Sequence, residues 1–310
     1  MLLARRAACW LSLTLTALTF SLGCASTPAG RDWQVVEGPN LAIYTDGKAE
    51  DAQALHLELE RFRAATVWFT NLGKAKLGKV RLMVFKSGTD ALPYLIEKEN
   101  GAWASVTPTG SLGVAKLAGE NKAADRQTLK RDLVKLWMDD ARVRAPVWYR
   151  EGLAELVSAF VIDGDGVTIG GLPPIQLSQY ATLIADEKKG HAPGALLSEE
   201  PARYTTEDRA RVWLVVHYLM VANVERQDAL REYFKAWAKG TPSADAFAAA
   251  FGQAPADFYR LEVARYGTRA LAARKFGLEG KGPEPRVREA SAEEIEKLTA
   301  EVDRAVQRLR

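Results

Sequence analysis

Two carboxylates one helical turn apart are the residues of this chain best placed to do chemistry. Glu151 and Glu155 belong to a stretch predicted to be helical, which begins at Pro146, where the missing N–H of proline is not needed. Side chains at this spacing share one side of a helix, where carboxylates can bind a cation or pair with basic side chains. The buried side of the same helix is predicted to carry Trp148, Leu153, Leu156, Val157 and Phe160.

A second predicted helix precedes these carboxylates within residues 126–160. It carries three charged residues of interest, Arg131, Asp132 and Lys135. Its apolar residues recur every three or four positions, which is typical of a helix with one buried side. They are Leu129, Leu133, Leu136 and Trp137.

Pro146, Trp148 and the segment 151–155 (Glu-Gly-Leu-Ala-Glu) resemble the second half of the gluzincin metallopeptidase core. The resemblance is to a bacterial lipoprotein branch catalogued as a domain of unknown function with peptidase-like features. It covers about residues 33–266 and implies the α+β fold class. The implied architecture is a small N-terminal mixed sheet with helices, a gluzincin-like two-helix core and an all-helical C-terminal part. The later residues that take part in the resemblance are Trp213, Val216, Tyr218 and Leu219.

In that family the first core helix carries His-Glu-x-x-His, whose histidines offer neutral nitrogens to zinc from one helical face. Alignment of the apolar residues places Arg131, Asp132, Leu133, Val134 and Lys135 at these five positions. Arginine has no lone pair to offer and stays protonated, lysine would have to lose a proton, and aspartate is one methylene shorter than glutamate. We therefore expect a degenerate site with no metal, no cofactor and no catalytic residue.

The resemblance implies a zinc site of known charge, and that charge suggests which side chains take the place of the metal and its ligands. Zinc with two neutral imidazoles brings a charge of +2, and Arg131 with Lys135 also brings +2. We predict that Glu151, at the third-ligand position, forms a salt bridge with Arg131 or Lys135. At 4 Å and an effective dielectric near 20, one such contact is worth roughly 4 kcal/mol before desolvation. The alternative is that both cations point to solvent.

Residues 1–23 have the features of a signal peptide. Two arginines precede an apolar run over residues 7–22. The run ends in residues 21–24 (Ser-Leu-Gly-Cys), which resemble the bacterial lipobox, and in lipobox proteins the residue matching Cys24 is lipidated and begins the mature chain. Ala25 rather than aspartate follows, which by analogy favours the outer membrane, facing the periplasm. A plain secretory signal or an uncleaved anchor helix are the alternatives.

The mature chain is predicted to contain a tether (24–32), an α+β peptidase-like subdomain (33–170), a helical C-terminal subdomain (171–277) and a linker with a terminal amphipathic helix (278–310). Strands are predicted within 33–45, over 79–86, in a hairpin of 102–107 and 112–117 and in a hairpin ending at Ile169. Helices are predicted over 48–72, from Thr89 to Glu99, and over 175–189, 226–238, 243–251 and 255–275.

The terminal helix is predicted to begin with a capping box formed by Ser291 and Glu294. Its apolar residues alternate spacings of three and four, the pattern of a short coiled-coil seam. Residues 291–310 are therefore expected either to bind a helical partner or to fold back on their own domain. The seam consists of Ile295, Leu298, Val302, Ala305 and Leu309.

Three functions are compatible with these features. The net charge is +3, and +1 without the two signal-peptide arginines, so the chain has no basic patch that favours nucleic acid. The favoured function is a non-catalytic lipoprotein that binds a peptide or protein in its vacant cleft, at the edge of the 102–117 hairpin. The alternatives are a purely structural envelope component and a metallopeptidase with unusual ligands, drawn from Asp132, Glu151, Glu155 and His217.

Overall fold

The computed structural model describes residues 28–72, 77–97, 101–116, 122–171, 180–182, 184, 189–198, 201, 203–278 and 284–310. Within these residues a six-stranded mixed sheet forms the N-terminal half of the fold, as the expected α+β class requires. Its parallel strands lie in the middle and its antiparallel strands at the edges. The strands are β1 (Gln34–Glu37), β2 (Leu41–Thr45), β3 (Val80–Phe85), β4 (Ala102–Thr107), β5 (Gly110–Lys116) and β9 (Arg286–Glu289), in the spatial order β4-β5-β3-β2-β1-β9.

Both faces of the sheet are covered by helices, and the central strand β3 contributes to each core. Leu82 and Val84 belong to the main core with helices α1 (Ala49–Thr70) and α3 (Lys122–Asp140). Met83 and Phe85 alternate with them and point to the other face, into a second core. This alternation explains why the strand is apolar along its whole length.

The second core is closed by the C-terminal segment of the chain. Strand β9 pairs antiparallel with β1, and α11 (Ala292–Leu309) then crosses the sheet face. The predicted capping box of Ser291 and Glu294 is confirmed at its start. The terminal helix thus folds back on its own domain, the second of the two expected alternatives, and binding of a helical partner stays a prediction. Its buried residues are Ile295, Leu298, Val302, Ala305 and Val306.

The C-terminal part is mainly helical, as predicted. Its central helix α6 (Thr206–His217) starts at a capping box of Thr205 with Asp208 and continues into a π-helical turn, Tyr218–Ala222. No helix in the described part of the chain is long and apolar enough to cross a bilayer. The other helices are α4 (Val147–Ser158), α5 (Pro193–Ser198), α7 (Gln227–Ala238), α8 (Ser243–Phe251), α9 (Pro255–Phe258), a π-helical turn (Tyr259–Val263) and α10 (Ala264–Gly267).

A small second sheet corrects one prediction. The helix predicted over 255–275 ends at Gly267, and the chain then forms β8 (Arg274–Gly277). This strand pairs with β7 (Gly166–Ile169), which also pairs with β6 (Val161–Asp163) in the predicted hairpin. The ring of Phe276 packs on Trp68 with centroids 4.6 Å apart. Strand pairing and this contact are tertiary interactions that override local helical preference.

The predicted helix from Thr89 to Glu99 is also wrong in length. The structure has a single α-helical turn, α2 (Gly88–Ala91), followed by a 3-10 turn over Leu92–Tyr94. Ser87, not Thr89, precedes the helix. Leu92 keeps the α conformation, but Pro93 has no backbone N–H to bond the carbonyl four residues earlier, so the α-helix does not continue. The helix predicted over 175–189 lies mostly outside the described residues.

Candidate functional site

The two helices predicted to hold the charged residues lie side by side. Helix α3 is followed by a short turn, and Pro146 caps the start of α4 in an extended conformation. The facing surfaces of the two helices carry Arg131 and Lys135 from α3 and Glu151 and Glu155 from α4. The residues that the sequence singled out therefore form one site.

Lys135 and Glu151 form an ion pair at the outer side of this site. The Lys135 Nζ lies 2.7 Å from the Glu151 Oε1. Both side chains remain partly exposed, at 29% and 17%. The predicted salt bridge of Glu151 is confirmed, with Lys135 as its partner.

Glu155 forms a second, buried network that the sequence analysis did not assign. Its Oε1 lies 3.4 Å from the Arg131 Nη1 and 3.5 Å from the Arg209 Nε. Its Oε2 accepts a hydrogen bond from the Tyr180 hydroxyl at 3.0 Å. Burial and the adjacent carboxylate raise the pKa of Tyr180, which keeps this hydroxyl a donor. The sequence signal was available, because Glu155 follows Glu151 by one helical turn.

The pKa of Arg131 reflects two opposed effects. Burial alone would lower it, but the carboxylates of Glu155, Asp132 and Glu151 raise it above its ordinary value. Arg131 is therefore a permanent cation in the site. It has no lone pair to offer a metal ion, and a nearby metal ion would meet its positive charge.

Asp132 lies beside Arg131 on α3, and its side chain is 20% exposed. Burial raises the pKa of its carboxyl, and the charges of Arg131 and Lys135 only partly counter this effect. The Arg131 Nε lies 3.4 Å from its Oδ1. The backbone N–H of Ala104 in β4 is also directed at the carboxylate. Asp132 thus links helix α3 to the edge of the sheet.

The histidines of the described part of the chain are engaged elsewhere. His217, the histidine considered as an alternative ligand, is buried, and its ring nitrogens lie 3.0 Å from the Gly170 carbonyl and 2.9 Å from the Tyr266 hydroxyl. Burial lowers the pKa of this imidazole. His191 is exposed, and its Nδ1 lies 2.8 Å from the Asp208 Oδ2.

The donor set at the two helices does not fit zinc. Two of the positions that the resemblance assigns to ligands hold cations, and both carboxylates of α4 already have cationic partners. Among the described residues, no group of three or more His, Cys, Asp or Glu side chains could hold a metal ion. The site is arranged as an ion-pair network, in agreement with the charge comparison made from the sequence.

Gly152, which lies between the two glutamates, has a packing role. A Cβ at this position would lie 2.4 Å from the Val212 carbonyl oxygen and 2.6 Å from a methyl group of Val216. Helix α4 therefore approaches α6 at a distance that only glycine permits. This close approach keeps the other side of α4, with both glutamates, directed at α3 and the start of α6.

A cleft opens beside the outer ion pair. It has a volume of about 230 Å³ and is bordered by Lys135, Glu151, Arg150 and Trp237. Arg150 is itself paired with Asp139. The cleft therefore combines balanced charges with one aromatic surface.

Strand β4 is an edge strand, and its pairing with β5 determines which backbone groups are free. Thr107 and Gly110 face each other across a two-residue turn, so they form a hydrogen-bonded pair. Bonded and non-bonded residues alternate along an antiparallel pair. Ser105 therefore also bonds β5, whereas Ala104 and Val106 direct their N–H and C=O groups outward.

Two of these four outward groups already have partners. The Ala104 N–H is directed at Asp132, and the Val106 carbonyl accepts a long contact of 3.5 Å from the Arg308 Nη2 of α11. The Ala104 C=O and the Val106 N–H have no partner among the described residues. They border the charged site on one side and the end of α11 on the other.

Comparison of the chain with protein-family models gives no match, and comparison with curated protein sequences gives none either. The family resemblance therefore stays an expectation based on residues 146–155 and their surroundings. Cys24, the expected lipidation site, lies outside the described residues.

Proposed function

We propose that this chain is a lipid-anchored protein of the bacterial cell envelope whose metallopeptidase-like domain binds an extended peptide or protein segment without cleaving it. Lipidation at Cys24 would hold the domain close to the bilayer, because only the short tether 24–32 separates it from the lipid. Attachment to the outer membrane, facing the periplasm, is part of the same proposal.

The observation that carries this proposal is the ion pair between Lys135 and Glu151, at 2.7 Å. By the alignment that the resemblance implies, Arg131 and Lys135 stand at the positions where a zinc-dependent relative would have histidine ligands, and Glu155 pairs with Arg131. A carboxylate paired with a permanent cation is a poor metal ligand, since a metal ion would have to displace the cation and then lie beside it. The residues of α3 and α4 that the structure describes offer zinc no set of three donors.

The free edge of β4 supports the binding half of the proposal. An exposed strand edge offers backbone hydrogen bonds to an extended segment, and side-chain pockets beside it supply specificity. Here the edge lies between Asp132 and Arg308, with the exposed side chain of Val106 beside it. A purely structural envelope component is the second candidate, and it makes no use of the two backbone groups of β4 that have no partner among the described residues.

The alternative of an active metallopeptidase with unusual ligands is less well supported. It would need Glu151, Glu155, Asp132 and His217 to converge on one ion. Both glutamates have cationic partners, and both His217 nitrogens have hydrogen-bond partners in the core.

The test is a zinc titration of the full chain, purified in detergent micelles, beside the triple variant Arg131→His, Asp132→Glu, Lys135→His. We expect the triple variant to bind one zinc ion and the natural chain to bind none. Circular dichroism of both proteins shows whether the variant is folded. If the variant does not fold, hydrolysis of casein by the natural chain decides. Zinc-dependent hydrolysis that a chelator abolishes would contradict the proposal.

A further inference from the structure

We infer that the β4 edge binds the C-terminal end of an extended peptide that runs parallel to β4, and that Arg304 and Arg308 bind its terminal carboxylate. This inference rests on the proposed binding of a peptide at this edge. It adds the direction of the ligand and the chemical group that ends it.

The direction follows from the two backbone groups that have no partner, the Ala104 C=O and the Val106 N–H. In a parallel pairing, one residue of the added strand donates its N–H to a carbonyl of β4. The carbonyl of that same residue accepts a hydrogen bond from the β4 N–H two residues further along. An antiparallel strand instead needs the N–H and the C=O of the same residue. At Ala104 the N–H is directed at Asp132, and at Val106 the C=O is contacted by Arg308. The free pair therefore fits a parallel strand.

The position of the ligand's end follows from the same register. A parallel strand has its C-terminus at the Thr107 end of β4, where helix α11 also ends. The next hydrogen bond of the added strand would use the Val106 carbonyl, which Arg308 contacts. A peptide that stops at this point needs no further backbone partner and brings its carboxylate to the arginine.

The surroundings of this point favour an anion. A cleft of about 250 Å³ lies between the turn of the hairpin and α11, bordered by Thr107, Thr109, Arg304 and Arg308. Glu301 also borders it but is already paired, 2.6 Å from the Arg81 Nη2 and 2.8 Å from the Thr109 hydroxyl.

Arg304 and Arg308 lie one turn apart on α11, so both can face one group. Neither has an acidic partner in the described part of the chain. Arginine binds carboxylates through paired, charge-assisted hydrogen bonds. Capture of a terminal carboxylate is also a known way to recognise the end of a peptide.

The experiment uses the full chain in detergent micelles and a fluorescein-labelled peptide of ten alternating threonine and valine residues. Three forms are compared by fluorescence anisotropy: a free C-terminal acid, a C-terminal amide, and a C-terminal amide whose last residue is glutamate. We expect the free acid to bind about tenfold more tightly than the simple amide, the order of one charge-assisted hydrogen bond.

The double variant Arg304→Gln, Arg308→Gln should bind the peptide with a free C-terminal acid and the peptide with a C-terminal amide equally tightly. The matched control is Arg265→Gln, Arg269→Gln, an exposed pair of arginines at the same spacing at the end of the helical part, which should keep the tenfold difference. Circular dichroism of both variants verifies that they are folded.

Each other outcome overturns a distinct statement. If the glutamate-ended amide binds as tightly as the free acid, the ligand group is an acidic side chain and the terminal assignment is wrong. If all three forms bind equally and Val106→Pro, which removes the free N–H, abolishes binding, the carboxylate inference fails and peptide binding at β4 stands. If no form binds, peptide binding at this edge is wrong as well.

Discussion

The two glutamates of helix α4 are one turn apart, yet their surroundings differ. Glu151 lies at the outer side of the site, partly exposed, with Lys135 as its ion-pair partner. Glu155 is buried and contacts Arg131, Arg209 and Tyr180. The outer pair borders the cleft, whereas the inner network joins residues of four segments of the chain.

This difference shows how one charged site can serve two purposes. Exposed ion pairs contribute little to stability, because water competes for both groups and salt screens them. Buried pairs contribute less than their attraction suggests, but removal of one partner leaves an uncompensated charge. The inner network therefore holds the helices in place, whereas the outer pair can separate at small cost.

The largest effect is expected for Glu155→Gln. This change keeps the shape of the side chain and an acceptor for the Tyr180 hydroxyl, but removes the buried carboxylate that Arg131 and Arg209 share, and Asp132 remains as the neighbouring carboxylate of Arg131. We expect the free energy of unfolding to fall by about 3–5 kcal/mol. The measurement is urea denaturation of both proteins. The matched control, Glu151→Gln, should lose about 1 kcal/mol or less. Equal losses in the two variants would remove the distinction between inner and outer carboxylates.

An intermediate effect is expected for Gly152→Ala, which tests whether the position of α4 depends on its close contact with α6. The added methyl would lie 2.4 Å from the Val212 carbonyl oxygen, so a helix must shift. Overpacking of this kind costs about 1–3 kcal/mol. Gly277→Ala is the control, because no atom lies within 4 Å of its added Cβ. Thermal unfolding of both variants decides, and an unchanged Tm for Gly152→Ala would contradict the packing role.

The smallest effect, of opposite sign, is expected for Asp132→Asn. Burial raises the pKa of Asp132 in the folded protein, so the carboxyl ionises less readily there than in the unfolded chain. The free energy of unfolding therefore falls once the pH rises above the unfolded pKa of about 3.9, and the full loss is reached above the folded pKa. Replacement by Asn should give a small gain in stability at pH 7 that disappears as the pH falls through this range. Urea denaturation at pH 7 and pH 4 measures it. A loss of stability at pH 7 would mean that the attraction of Arg131 and Lys135 exceeds the effect of burial.

The sequence predicts the residues of the charged site better than it predicts the tertiary contacts around them. Helical spacing places Arg131 and Lys135 on one face of α3 and allowed a salt bridge of Glu151 with one of them to be predicted, but the choice of Lys135 came only from the structure. The partners of Glu155 were not predictable in the same way. Arg209 and Tyr180 lie far along the chain, and only tertiary packing brings them to the site.

The return of the C-terminal segment shows the same limit. The capping box at Ser291 and the apolar seam of α11 were evident in the sequence, but the surface that buries the seam was not. The pairing of β9 with β1 and of β8 with β7 joins residues more than a hundred positions apart. Local patterns predict which segments are regular and which side is apolar, whereas non-local pairing needs the whole fold.

The most direct test of the central claim, that cationic side chains stand in for a metal at helices α3 and α4, is the thermal unfolding of the natural chain with and without EDTA. If ion pairs hold the site, the chelator leaves Tm unchanged, and added zinc does not raise it. A bound metal at a thousandfold excess over its Kd would contribute about 4 kcal/mol, which its removal would make visible as a lower Tm. A fall in Tm with EDTA that zinc reverses, and that Glu151→Gln abolishes, would contradict the account.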